Sequence, residues 1–176
     1  MNKVIMVDFD KCVGCRTCEM VCSIGHEKEI NPFRARIRVV KWEDQGHSIP
    51  MNCRQCETAP CEAVCPVKAL SRDEMLFRVV NDYDKCIGCR ACIIACPFGQ
   101  MSFDIVNKKV KKCDLCDGDP LCVEFCAYGA LRYVDATDLN TEKETEAAQR
   151  FLGVNQAVEI AIASQFQYIK FDNAKP

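Results

Sequence analysis

Short runs that are β-branched or alternate apolar with polar residues recur along the chain, each beside turn residues. They are Lys3–Asp8, Arg36–Lys41, Leu76–Val80, Gln100–Asp104, Lys109–Lys112 and Leu131–Val134. Runs of this length and make-up predict strands. Short helices are expected near Cys18–Ile24, Cys61–Val64, Cys92–Ala95 and Cys122–Phe125. Arg34, Arg36, Arg38 and Lys41 alternate with apolar residues, which reads as the wetted face of a strand, with a docking face for an acidic partner as the alternative. Lys108, Lys109, Lys111 and Lys112 read the same way. After Val134 the pattern changes to a stretch rich in Glu, Gln, Ala and Thr. There Thr141-Glu142-Lys143-Glu144 fits a capping box, Gly153 is a candidate break, and Val158, Ile162, Phe166 and Ile169 share one face of a second helix. The pattern predicts an α+β domain over residues 1–134 and a helical tail over 135–176 that docks on its own domain, on a partner or on a second copy, in the last case linking copies into filaments.

Cysteine dominates the chemistry: 16 of 176 residues, in four groups of four. Group one is Cys12, Cys15, Cys18 and Cys22; group two is Cys53, Cys56, Cys61 and Cys65; group three is Cys86, Cys89, Cys92 and Cys96; group four is Cys113, Cys116, Cys122 and Cys126. Secreted chains use cysteine for disulfides and cytosolic chains for metal. The N-terminal MNKVIMVDFDKCVGC meets Asp8 and Asp10 before an export-type apolar region forms, and no twin arginine is present, so a cytoplasmic location and reduced thiols are expected. No apolar run approaches the ~18 residues of a membrane span. The formal net charge of −2 points to no nucleic acid.

The chain also repeats itself. Asp8–Gly25 (DFDKCVGCRTCEMVCSIG) and Asp82–Gly99 (DYDKCIGCRACIIACPFG) are identical at ten of eighteen positions. Groups two and four share CxxCxxxP, and group four carries Leu121 as an extra residue. An A-B-A′-B′ order implies duplication of a two-group unit. Groups one and three follow C-x2-C-x2-C-x3-C, in which three thiolates wrap one face of an iron–sulfur cube and the fourth starts toward another. Gly14 and Gly88 sit where the backbone must turn tightly beside sulfur, and Pro66 and Pro97 are placed to stop short helices. Structural zinc favours two separated C-x2-C pairs. Radical chemistry on S-adenosylmethionine wants a lone C-x3-C-x2-C, and a three-iron cluster wants a missing ligand; neither pattern is present. His26 and His47 read as surface loop residues, Trp42 as packing, and Met6, Met20, Met51, Met75 and Met101 as core or shielding residues.

The linker between groups two and three has a polar turn at Ser71–Glu74 before a β-rich run. It resembles the hairpin joining the halves of a bacterial two-cluster ferredoxin, so groups two and three are expected to pair as one unit, and groups one and four with each other as the second. The whole pattern, over Lys3 to Val134, resembles the four-cluster ferredoxin-like subunits of dimethyl sulfoxide reductase, formate dehydrogenase, hydrogenlyase and tungsten aldehyde oxidoreductase complexes. The resemblance implies two intertwined ferredoxin-like units and four [4Fe–4S] clusters with crossed ligation. Cluster one would take Cys12, Cys15, Cys18 and Cys126; cluster two Cys113, Cys116, Cys122 and Cys22; cluster three Cys53, Cys56, Cys61 and Cys96; cluster four Cys86, Cys89, Cys92 and Cys65. Ser23 and Ala127 stand where the family usually has Pro. The implied role is a non-catalytic electron relay to a large pterin-containing subunit carrying tungsten or molybdenum, with a flavin subunit or ferredoxin as the other partner. The tungsten aldehyde oxidoreductase type is the favoured partner, and a free polyferredoxin shuttle is the rival reading. No dinucleotide, P-loop, triad or flavin motif is visible in the sequence.

Overall fold

Three four-residue turns organise the middle of the chain. They connect β2 (Arg38–Trp42) to β3 (His47–Met51), β4 (Leu70–Asp73) to β5 (Arg78–Asn81), and β6 (Ser102–Asp104) to β7 (Lys109–Lys111). Each ends on a left-handed residue: Gly46 (φ 70°), Phe77 (φ 51°) and Lys108 (φ 54°). Left-handed backbone costs a non-glycine residue about 1–2 kcal/mol. At Phe77 and Lys108 an aspartate in the strand before the turn offsets it. Asp73 Oδ1 accepts from Met75 N–H at 2.9 Å, and Asp104 Oδ1 accepts from Val106 N–H at 3.0 Å. The fourth pairing is of another kind: β1 (Lys3–Val7) lies antiparallel to β8 (Leu131–Asp135), with Lys3 opposite Asp135 and Val7 opposite Leu131.

The computed structural model describes residues 3–153 apart from 139, 142 and 146. Among these residues the sheets are all two-stranded and antiparallel. Short helices accompany them: α1 (Thr17–Glu27), α2 (Pro60–Ala63), α3 (Ala91–Ala95) and α4 (Leu121–Glu124). This is the α+β class expected, with helices where the cysteine groups placed them. The strands β3 and β4 went unread in the sequence. The expected turn at Ser71–Glu74 is corrected: Ser71–Asp73 is strand, and the turn occupies residues 74–77.

Helix α1 runs 11 residues and ends at left-handed Lys28. With Ser23 in place of a proline it passes Cys22 without stopping. Ser23 is fully buried; its hydroxyl donates to the Met20 carbonyl at 2.8 Å and accepts from Asn31 N–H at 3.1 Å. The extra turn carries His26 and Glu27 inward.

Two apolar clusters form the interior. One gathers Ile5, Cys18, Cys22, Ile37, Val39, Leu115, Cys122 and Leu131, from segments around groups one and four. The other gathers Ala59, Cys61, Leu70, Val79, Cys86, Cys92, Met101 and Val110, from segments around groups two and three. Charged residues tie the segments together, which corrects the solvated-face reading for Arg34, Arg36, Lys111 and Lys112, while Arg38 and Lys108 are exposed as that reading expects. Arg34 pairs with Glu27 (2.6 Å), Glu29 (3.0 Å) and Asp104 (3.0 Å), and buried Lys111 with Glu27 (3.0 Å) and Asp104 (3.1 Å). Burial would raise the Asp104 pKa; hydrogen bonds from Lys111, Asn107 and Arg34 outweigh it and hold the carboxyl well below the usual range. The methionine reading holds for buried Met6 and Met101 and fails for Met75, which is 83% exposed beside a hairpin turn. Trp42 is half-exposed at the end of β2.

The chain divides after Ala136. Within the second unit the described residues up to 153 are helical. Thr141 is inside that helix, donating to the Thr137 carbonyl at 3.4 Å, so it is not the expected N-cap. The second tail helix, Asn155–Ile169, lies outside the described residues. No described helix is long and apolar enough to cross a membrane.

Candidate metal centres

Each tight loop is built around a glycine or left-handed residue that lets thiols converge. Gly14 and Gly88 both have φ 68°. A Cβ on Gly88 would run into the Lys108 carbonyl oxygen, and one on Gly14 into the Ser48 hydroxyl. The first obstacle is backbone and cannot step aside; the second is a side chain that can rotate. Gly88→Ala is therefore expected to lower stability by roughly 2–4 kcal/mol, from a left-handed alanine plus displacement of the β6–β7 turn, and Gly14→Ala by about half as much. Thermal melts of the two variants, prepared identically, check the order.

The structure brings twelve of the sixteen thiols into three sets of four. Cys12, Cys15 and Cys18 face Cys126 across a hollow of about 350 Å³. Cys53, Cys56 and Cys61 face Cys96 across about 370 Å³. Cys86, Cys89 and Cys92 face Cys65 across about 310 Å³. The remaining four lie near one another: the Cys122 thiol pKa is raised by burial and then by Cys113, Cys22 and Cys116, with Cys18 of the first set also contributing. In each of the three hollows three cysteines come from one sequence group and the fourth from the paired group.

Backbone amides point at sulfur in three of the sets. Arg36 N–H donates to Cys22 Sγ at 3.2 Å, Ala69 N–H to Cys65 Sγ at 3.2 Å, and Gln100 N–H to Cys96 Sγ at 3.4 Å. The Thr17 hydroxyl donates to Cys15 Sγ at 3.4 Å. Such donors stabilise thiolate and tune a bound metal. Burial works the other way: it pushes Cys18 up to about 12, helped by Glu19, Cys15 and Cys12, and Cys92 up to about 11, helped by Cys89 and Cys61. Buried, mutually repelling sulfurs with donors aimed at them fit a polycationic group that replaces the thiol protons. Three nearly equal hollows, each ringed by four thiols, fit iron–sulfur cubes.

Around the Cys22 set the loop of group four is left-handed over Leu115, Cys116 and Asp117 (φ 57°, 48° and 57°). Arg78 from β5 holds it, donating to the Asp114 carbonyl and to Asp117 Oδ1 at 2.6 Å. Asp114 accepts from Cys116 N–H at 3.0 Å and pairs with Arg36 at 2.5 Å. Arg36 also reaches the Tyr83 hydroxyl at 3.1 Å. His26 is corrected from surface loop to half-buried helix residue, with Nε2 3.6 Å from Cys116 Sγ and 3.5 Å from Asp114 Oδ1. His26, Asp114 and Cys116 could by geometry hold a metal ion, but Cys116 already belongs to a thiol set. Sequence reasoning missed Arg36, Gln55, Arg78 and Lys112 as site residues, because each reaches its set from a distant segment or from inside a charge run.

The fold and the thiol sets together define the class: a small α+β protein with ferredoxin-like [4Fe–4S] sites. Residues 45–136 match the model of the 4Fe-4S dicluster domain, and residues 9–25 that of a 4Fe-4S binding domain. The polyferredoxin-like subunit of an aliphatic sulfonate oxidoreductase of Pyrococcus furiosus is 45% identical, over 69% of this chain and 70% of its own. The electron transport protein HydN of Escherichia coli K12 is 36% identical, over 86% of this chain and all of its own. A solved chain of the BamBC active-site complex of benzoyl coenzyme A reductase is 30% identical over 89% of this chain and 97% of its own, with a TM-score of 0.47. The chain belongs to the 4Fe-4S dicluster-domain family of electron-transfer proteins.

Proposed function

We propose that each thiol set holds one [4Fe–4S] cluster, in the crossed arrangement Cys12, Cys15, Cys18 and Cys126; Cys113, Cys116, Cys122 and Cys22; Cys53, Cys56, Cys61 and Cys96; Cys86, Cys89, Cys92 and Cys65. The observation that supports this reading is the convergence of twelve thiols into three four-membered sets, each lining a hollow, with the other four electrostatically coupled around Cys122. Bound clusters supply one-electron exchange with no iron left vacant for a substrate. The chain's own residues hold them in line. Cys18 and Cys122 interact between the first and second sets, Cys53 and Cys113 between the second and third, and Cys61 and Cys92 between the third and fourth. Cys15 in the first set and Cys89 in the last are the two exposed thiols, which suits electron entry and exit at opposite ends of the series.

The relay serves a larger oxidoreductase as a bound, non-catalytic subunit. Its catalytic partner is a pterin-containing subunit of the tungsten aldehyde oxidoreductase kind, and a flavin subunit or ferredoxin takes the other end. Kinship with a subunit of a sulfonate oxidoreductase supports a bound role; the pterin partner rests on the resemblance of the chain to relay subunits of pterin enzymes. Anaerobic purification from native extract tests both parts. The expected product is a brown complex with about sixteen iron atoms per relay chain, four per cube, and a large subunit carrying tungsten. A fully loaded chain that elutes alone overturns the partner, and a colourless or zinc-loaded chain overturns the ligation.

A further inference from the structure

Two neighbouring lysines are buried, and they are treated differently. Lys111 (5% exposed) has two carboxylates, Glu27 and Asp104, within 3.1 Å. Lys112 (3% exposed) donates to Gln55 Oε1 at 2.9 Å, the Cys113 carbonyl at 3.2 Å and Cys53 Sγ at 3.3 Å. An ammonium has three donors, and these acceptors use all of them. None of the three is a carboxylate. A buried ammonium needs a negative charge nearby, and the one acceptor able to carry it is the sulfur of Cys53.

The place is a junction. Cys53 belongs to the third thiol set and Cys113 to the second, and their sulfurs interact electrostatically. Gln55 fixes the ammonium there: its Oε1 also accepts from Val79 N–H at 3.0 Å, and its Nε2 donates to the Cys113 carbonyl at 2.9 Å. Lys112 also lines the hollow of the third set.

We propose that Lys112 is a positioning residue at the junction of the second and third thiol sets, and that its ammonium makes the cluster of the third set easier to reduce. The proposal rests on the ligation read above. One electron arriving at that set adds one negative charge opposite a fixed cation; no bond forms or breaks and no proton moves. Net charge and hydrogen bonds to sulfur are the levers by which a protein sets such potentials.

The test is an EPR-monitored redox titration of the full chain isolated without oxygen, as wild type, Lys112→Met and Lys112→Arg. Methionine keeps length and apolar volume and removes the charge. One cluster transition is expected to become about tenfold harder to reduce, which is about 59 mV for a one-electron couple. The others stay in place, and arginine recovers most of the shift. Unmoved potentials at full iron content overturn the proposal, whereas a wild-type chain without iron overturns the ligation instead. If Lys112→Met does not assemble, a Lys41→Arg, Lys109→Arg chain labelled with 15N only at lysine Nζ decides. That background removes the Nζ bonded at the Cys86 carbonyl and the lysine beside Gly14 and Cys15. Pulsed EPR of the reduced protein then shows a 15N coupling, and its absence overturns the proposal.

Discussion

Removing iron with a chelator under anaerobic, reducing conditions is expected to unfold residues 3–136, abolishing the cooperative thermal transition. The reason lies in what the interior is made of. Six of the twenty buried hydrophobic residues among those described are cysteines. Every described sheet has only two strands, and a lone two-stranded hairpin is marginal in water. Three of the helices have only four or five residues, well short of what holds a helix by itself. Without a group to bridge them, the thiols leave hollows against both apolar clusters. Metal-binding free energy in such a protein is folding free energy. Circular dichroism of the stripped chain checks this: a retained sharp melt with native near-ultraviolet signal would falsify the dependence.

The second large effect concerns which thiols act together. Cys126→Ala is expected to remove about a quarter of the iron, roughly four atoms of sixteen, and to erase the same EPR signal as Cys15→Ala. Cys22→Ala is expected to match Cys116→Ala and not Cys15→Ala, although Cys22 and Cys15 share one sequence group. The geometry behind this is the contact of α1 with α4, together with the electrostatic coupling of Cys22 to Cys116 and Cys122. Iron analysis and spectra of the four variants decide it. If Cys22→Ala and Cys15→Ala lose the same signal, each sequence group binds its own cluster and the crossed arrangement is wrong.

The thiol groups were legible because local spacing fixes them: three cysteines each three positions apart can wrap a compact centre, and Gly14 and Gly88 marked the turn. Helix positions followed from the same loops. The hairpins were half legible. β5 reads as a strand by its valines, but β4 ends in a turn whose left-handed position is Phe77, where a glycine would have announced it. Pro50 hid β3. A proline is tolerated there because, in a sheet of two strands, each strand is an edge. The basic runs misled most. Arg36, Lys111 and Lys112 look solvated in sequence, and their burial is decided by acceptors on segments far away in the chain: Asp114 and Tyr83, Glu27 and Asp104, Cys53 and Gln55. Periodicity carries no record of such partners.

The pairing of β1 with β8 bears on how the protein can be made. Strand β1 leaves the ribosome long before its mate, which lies near the end of the domain, from Leu131 onward. On the proposed ligation, groups two and three, joined by their own hairpin, are complete once Cys96 has emerged, while Cys12, Cys15 and Cys18 must wait for Cys126. A nascent or prematurely terminated chain thus carries a finished middle between a sticky, unmatched N-terminal strand and open thiols. Translation through Asp135 before oxygen or stray metal arrives becomes a condition for correct maturation.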